Sequence, residues 1–123
     1  MSKRENKEKG NAGENIAEQY LRKHGYRILA RNFKTDTGEI DIIATDDAYL
    51  IFVEVKMRFG DEYGLPSEAV DYAKQRKLAA VAAQYIKRYM LFGAPARFDV
   101  IEVRGDTKEV NHIINAFETH MRY

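Results

Sequence analysis

The 123-residue sequence predicts one α/β domain, a mixed β-sheet flanked by helices in the order α-β-β-β-α-β, with a possible final strand. Three observations predict it. A helix-period segment closes at Gly25. Three runs with strand patterning follow between Tyr26 and Lys56. A long helical stretch then leads into the alternating run Arg97–Val103. A helix between strands is the crossover that lets the fourth strand join parallel to a central one.

The first helix is expected from about Ala12 to His24, with Ala17, Tyr20, Leu21 and His24 inward and Gly25 as a left-handed cap. Glu14 lies on the inward side, above Ala17 and Leu21. An acid there either faces a polar site or complements the helix dipole, and the residues alone leave both open. Tyr26–Phe33 reads as a first strand. Gly38–Ala44 alternates acid and aliphatic, Thr45–Ala48 reads as a turn, and Tyr49–Lys56 is an apolar β-branched and aromatic third strand. Ser67 is expected to cap a helix extending to about Phe92, with Leu78, Val81, Ala82, Tyr85, Tyr89 and Phe92 on its apolar face. Gly93-Ala94-Pro95 ends that helix. In the strand that follows, Asp99 is expected to fix Arg97 or the sheet edge, and Glu109–Ile114 fits a last strand.

The third strand ends in Glu54-Val55-Lys56. Period two puts Glu54 and Lys56 on one face, and burying either charge is costly without a partner or a metal. If the hairpin loop is even-numbered and centred on Asp47 and Ala48, Asp41 faces Glu54 and Glu39 faces Lys56. Facing Cβ atoms are roughly 5 Å apart, so these four would form one polar rectangle on an apolar sheet. Two carboxylates with the Val55 carbonyl are the hard oxygen donors that Mg²⁺ or Mn²⁺ prefers. Lys56 would then orient a nucleophile or stabilise a phosphoryl transition state. Acid-x-Lys by itself is unspecific, since Glu5-Asn6-Lys7 and Asp106-Thr107-Lys108 match it too. From spacing alone, an ion pair at a frayed strand end accounts for Glu54 and Lys56 equally well.

Asp41, followed thirteen residues later by Glu54-Val55-Lys56 on an adjacent strand, resembles the PD-(D/E)xK nuclease motif, with Ile40 where proline commonly stands. The chain is also similar to the YraN-like uncharacterised bacterial family. The likeness rests on Gly13-Glu14, Ala17, Tyr20-Leu21, Gly25-Tyr26, Asn32, Gly38-Glu39-Ile40-Asp41, Phe52–Lys56, Arg58 and Arg97-Phe98-Asp99-Val100, and covers most of residues 12 to 103. The resemblance implies a restriction-endonuclease-like fold similar to that of Holliday-junction resolvases. It implies Asp41, Glu54 and Lys56 as the metal and catalytic set, with Glu14 as the helix acid that joins the metal ligands. The implied activity is metal-dependent hydrolysis of DNA phosphodiesters, at branched or structured DNA. The alternative on the same fold is a non-catalytic nucleic-acid-binding or scaffolding module. A resolvase must cut two strands, so a homodimer is a further expectation.

Composition bounds the rest. The chain is long enough for one core, has no cysteine for a disulfide or thiolate zinc site, and has no long apolar stretch for a membrane span, so a cytoplasmic protein is expected. Residues 1–11 carry four bases against two acids with no apolar pattern and are expected to be a flexible basic tail, ahead of one domain at 12–123. Without the tail's +2 the formal charge of +1 becomes −1, which argues against indiscriminate coating of DNA and leaves room for a local patch. Arg76, Lys77, Lys87 and Arg88 fall on one flank of the long helix, where they either track a nucleic-acid backbone or are simply solvated. Lys74 and Gln75, in its first turns, are placed to reach the site, Lys74 as a nucleic-acid contact and Gln75, with Glu39, as an accessory group. Arg58 continues the Glu54/Lys56 face, either to grip a phosphate or as a solvated strand-end charge. With Ser2 and Ser67 the only serines and no phosphate-cradling glycine loop, acyl transfer and nucleotide hydrolysis by those routes lack support.

Overall fold

The computed structural model describes residues 3–60, 70–119 and 121, with side chains from residue 11 onward. Two helices and five strands follow in the order α1 (Lys3–Lys23), β1 (Arg27–Lys34), β2 (Glu39–Thr45), β3 (Leu50–Arg58), α2 (Tyr72–Arg88), β4 (Ala96–Arg104) and β5 (Val110–Phe117). The strands form one sheet in sequence order, β1-β2-β3-β4-β5. Only β3 and β4 are parallel, joined by the α2 crossover, and the other neighbours are antiparallel. The expected mixed sheet and the final strand are both present.

Alternation along the central strands sends side chains to two cores. Ile42, Ala44, Ile51, Val53, Ile101 and Val103 pack with Ala17 and Leu21 of α1 on one face. Phe52, Phe98, Val100 and Ile43 pack with Leu78, Val81, Ala82, Tyr85 and Ile86 of α2 on the other. β3, covered on both faces, opens with the unbroken apolar run Leu50–Val53, the pattern expected of a doubly buried strand. β4 is covered on both faces too, although Arg97, Asp99 and Glu102 interrupt its sequence.

Three boundaries differ from the sequence reading. The α1 backbone is helical from Lys3 rather than Ala12, so the segment expected as a flexible tail continues the helix. Its Lys and Glu content has high helix propensity, and an apolar pattern is not needed to propagate a helix already nucleated. At α2 the N-cap is Asp71, whose side chain accepts a hydrogen bond from the Lys74 N–H, and not Ser67, which lies outside the described residues. The same helix stops at Arg88, short of Phe92. Met90 adopts a left-handed φ of 55°, Leu91 N–H bonds the Ile86 carbonyl and Met90 N–H bonds that of Lys87, which together are a Schellman closure. Apolar spacing continues through Tyr89 and Phe92, so periodicity carries no warning of this stop.

Asp99, fully buried on β4, fixes the sheet edge as expected. It accepts from Arg97, from His112 Nε2 at 2.7 Å and from the Asn115 N–H at 2.9 Å, while His112 Nδ1 meets the Tyr20 hydroxyl on α1. The contacts of His112 and Arg97 hold the Asp99 carboxyl below its usual range against the effect of burial, so it stays ionised where it is. Asp99, His112 and Tyr20 thus tie β4, β5 and α1 together.

Candidate active site

The β2–β3 hairpin pairs Ile42 with Val53, Ile43 with Phe52, Ala44 with Ile51 and Thr45 with Leu50, the register expected from an even-numbered loop. Asp46 holds that loop by accepting from the Ala48 and Tyr49 N–H groups. One step beyond Ile42 and Val53 the same register sets Asp41 opposite Glu54, and there the two strands part. In a continuing ladder the Val55 N–H would go to the Ile40 carbonyl. It donates instead to the Asp41 carboxylate at 2.8 Å. The N–H and C=O of one residue leave an extended strand on the same side, so the Val55 carbonyl faces the same gap.

A local twist in β2 accompanies the split. Ile42 packs in the α1 core, whereas Ile40, two residues earlier, packs in the α2 core opposite Phe33. Across from Asp41 on β1, Asn32 takes a left-handed φ of 52°. Strict alternation therefore breaks at Asp41, and its carboxylate lies in the layer of the sheet itself, where it feels charges from both faces. Burial, then the Glu54 carboxylate, push the Asp41 pKa up to about 8, with smaller contributions from Glu14 and Glu39, against the opposing effect of the Val55 hydrogen bond.

Glu54 is buried on the α2 face beneath the first turn of α2, where the Lys74 ammonium pairs with it at 2.5 Å. Burial alone would lower the Lys74 pKa, but the Glu54 hydrogen bond and the charges of Glu54, Asp41 and Asp71 raise it instead. Glu14, buried on α1, is held by the Arg31 guanidinium at 3.2 Å, and Arg31 also binds Asn15 and Glu18. Lys56 follows Glu54 on the same face. Among the described residues, no ion pair or hydrogen bond engages its ammonium.

The expected rectangle forms on one side only. Glu39 pairs with Lys34 of β1 and lies 4.0 Å from its ammonium, because β2 leaves β3 before Glu39 can face Lys56. Arg58 is drawn to Glu102 on the neighbouring β4 at 2.9 Å, and Gln75 donates its amide to the Val70 carbonyl rather than toward the carboxylates. Arg76, Lys77, Lys87 and Arg88 are all exposed, with Arg76 over the Tyr72 ring and Arg88 over the Phe33 ring. Lys74 reaches the site as expected, but it does so as the partner of Glu54, a pairing the sequence reading did not foresee, and Arg31 was missed altogether. The residue types offered no signal for either, since both depend on where two helices sit on the sheet.

Gly38, Glu39, Asp41, Glu54, Lys74, Lys77, Leu78 and Val81 line a groove of about 180 Å³ between β2 and α2. A larger cavity of about 700 Å³ opens at the other end of the sheet, but among the described residues its wall holds a single carboxylate, Glu118, and no facing acid. Carboxylate chemistry therefore favours the smaller groove. Among the described residues no three His, Cys, Asp or Glu side chains gather closely enough to hold a metal ion. Two crowded carboxylates and the strand carbonyl of Val55 facing the same gap do suit Mg²⁺ or Mn²⁺, which keep several waters and commonly take only one or two protein carboxylates. No helix among the described residues is long and apolar enough to cross a membrane.

Residues 13–103 match the model of the uncharacterised protein family UPF0102. A UPF0102 protein of Clostridioides difficile (strain 630) is 48% identical over 112 residues, covering 91% of this chain and 98% of its own length. One from Clostridium acetobutylicum is 49% identical over 117 residues, covering 92% and 96%. Another, from Symbiobacterium thermophilum, is 53% identical over 94 residues, covering 76% and 80%. The matched span contains α1 from Gly13, the split hairpin and the whole of α2, so the groove lies inside what these proteins share, and the chain belongs to the UPF0102 family.

Proposed function

We propose that the protein is a divalent-metal-dependent nuclease that hydrolyses DNA phosphodiesters, with branched or structured DNA as its preferred substrate, on a restriction-endonuclease-like fold. The observation that carries this reading is the parting of β2 and β3, which brings Asp41 and Glu54 together and turns the Val55 carbonyl toward them. Asp41, Glu54 and the Val55 carbonyl would hold Mg²⁺ or Mn²⁺, with Glu14 behind them. When bound, the ion supplies charge neutralisation at the phosphate and a water of lowered pKa.

The chain's own groups do the rest. Lys56, on the Glu54 face, orients the attacking water and stabilises charge on the phosphoryl oxygens. Arg31 fixes Glu14 and thereby the negative potential behind Asp41. The exposed bases of α2 hold the nucleic-acid backbone and carry no sequence information. Paired incision of a four-way junction requires two such subunits, and a cytoplasmic location goes with this substrate.

One observation favours a second reading, a non-catalytic nucleic-acid-binding or scaffolding module: Glu54 already has a cation in Lys74. A cleavage screen over linear, flapped and four-way DNA with Mg²⁺ or Mn²⁺ separates the two. The nuclease reading expects metal-dependent products that vanish with chelator and in the Lys56→Ala protein. DNA binding without products under every metal condition would leave the binding module standing.

A further inference from the structure

Lys74 sits at the wrong end of its helix. It is the third residue of α2, where its own N–H is taken by the Asp71 cap, and the positive end of the helix dipole disfavours a cation there. Apart from the Asp71 cap, the first turn itself carries no acid. What the position does provide is reach: the ammonium spans the groove and pairs with Glu54, whose side chain is 10% exposed, while the lysine side chain remains 44% exposed and free to swing into solvent. Lys74 also lines the groove beside Asp41 and Glu39. A single ammonium brings one charge to one carboxylate. It pairs with Glu54 and not with Asp41, whereas a divalent ion would draw on both carboxylates, and it holds Glu54 Oε1, one of the oxygens such an ion would take.

We propose that Lys74 is a resident counter-ion that holds the Glu54 carboxylate until a divalent cation displaces it, making it a positioning residue that sets the metal affinity of the site. The inference rests on the metal-site reading of Asp41 and Glu54. An ion drawn to Glu54 competes with the Lys74 ammonium for the same carboxylate charge, so the pair weakens metal binding by up to its own strength. It also keeps the buried Glu54 from standing unpaired when no ion is present. A lysine that merely clamps α2 to β3 would contribute equally with and without metal.

The wild type, Lys74→Met and Lys74→Arg are titrated with Mn²⁺ by calorimetry, and each is melted with and without saturating Mn²⁺. The expected result is roughly five-fold tighter Mn²⁺ binding in Lys74→Met, the factor that loss of a partly exposed ion pair returns to a competing ligand. Lys74→Arg, which keeps the charge, should bind like the wild type. Lys74→Met should melt below the wild type in chelator, and saturating Mn²⁺ should narrow or reverse the gap. Lys74→Gln, which keeps a donor and loses the charge, should share the gain in affinity and serves if the Met variant does not fold. Wild-type Mn²⁺ binding that Lys74→Met and Lys74→Gln leave unchanged or weaken, with the same melting deficit in both conditions, overturns the inference and leaves the metal site intact. Absence of Mn²⁺ binding in all of the proteins overturns both.

Discussion

Asp41→Asn should make the metal-free protein more stable in mild alkali while destroying its capacity for metal. Burial and the facing Glu54 hold the Asp41 pKa at about 8, against 3.8 for an ordinary aspartate. Between those two values the folded chain binds a proton that the unfolded chain releases, so stability falls as pH rises through that window and is level above it. At about 1.4 kcal/mol per pH unit, the two units from pH 6 to pH 8 cost the wild type roughly 2–3 kcal/mol, or roughly 6–12 °C in melting temperature for a domain of this size. Asparagine keeps an oxygen for the Val55 N–H and has no charge to set against Glu54, so this slope should disappear. Tyr20 and Tyr85 have pKa values raised by burial above 10.0 and stay protonated at pH 9, so they add no slope. Urea unfolding followed by circular dichroism in chelator, at pH 6 and pH 9, reads the difference. Wild type should lose stability between the two and Asp41→Asn should not, with saturating Mn²⁺ at pH 9 rescuing the wild type alone. Parallel pH profiles for the two proteins would refute the reasoning, because they would mean that Asp41 and Glu54 do not crowd each other.

Two further predictions concern the chemistry and the DNA surface. Lys56→Ala should keep its fold and most of its DNA affinity while single-turnover cleavage falls by about 10²–10³-fold, since the ammonium acts on the transition state; equal losses in binding and cleavage would contradict that role. Replacing Arg76, Lys77, Lys87 and Arg88 together by Gln should weaken DNA binding and flatten the dependence of log K on log salt by about 0.9 per lost phosphate contact, and an unchanged slope would put the DNA surface elsewhere.

The sequence was most legible where one periodicity ruled. The hairpin register followed from loop parity, and the apolar run of β3 marked a core strand, whereas the alternation of Arg97–Val103 hid that β4 feeds both cores. It was least legible where a residue departs from its strand's pattern. Alternation put Glu39 opposite Lys56, and the twist at Asp41 that turns Ile40 to the other core removed that pairing. No local signal marks the twist except Asn32, a residue type that tolerates the left-handed backbone found across from it. Arg58 shared a face with Glu54 as expected, yet its fate was set by Glu102, a partner 44 residues away on a strand joined only through the crossover. Lys74 illustrates the same limit. Helical position put it in the first turns of α2, but only the seating of α2 over β3 makes Glu54 its partner.

The most direct test of the central claim, that the parted strands form a divalent-metal site, is anomalous diffraction from crystals equilibrated with Mn²⁺. The account predicts one strong peak between the Asp41 and Glu54 carboxylates, within ligand distance of the Val55 carbonyl, with the Lys74 ammonium moved off Glu54. No peak in the groove at saturating Mn²⁺, with Lys74 still seated on Glu54, would contradict it.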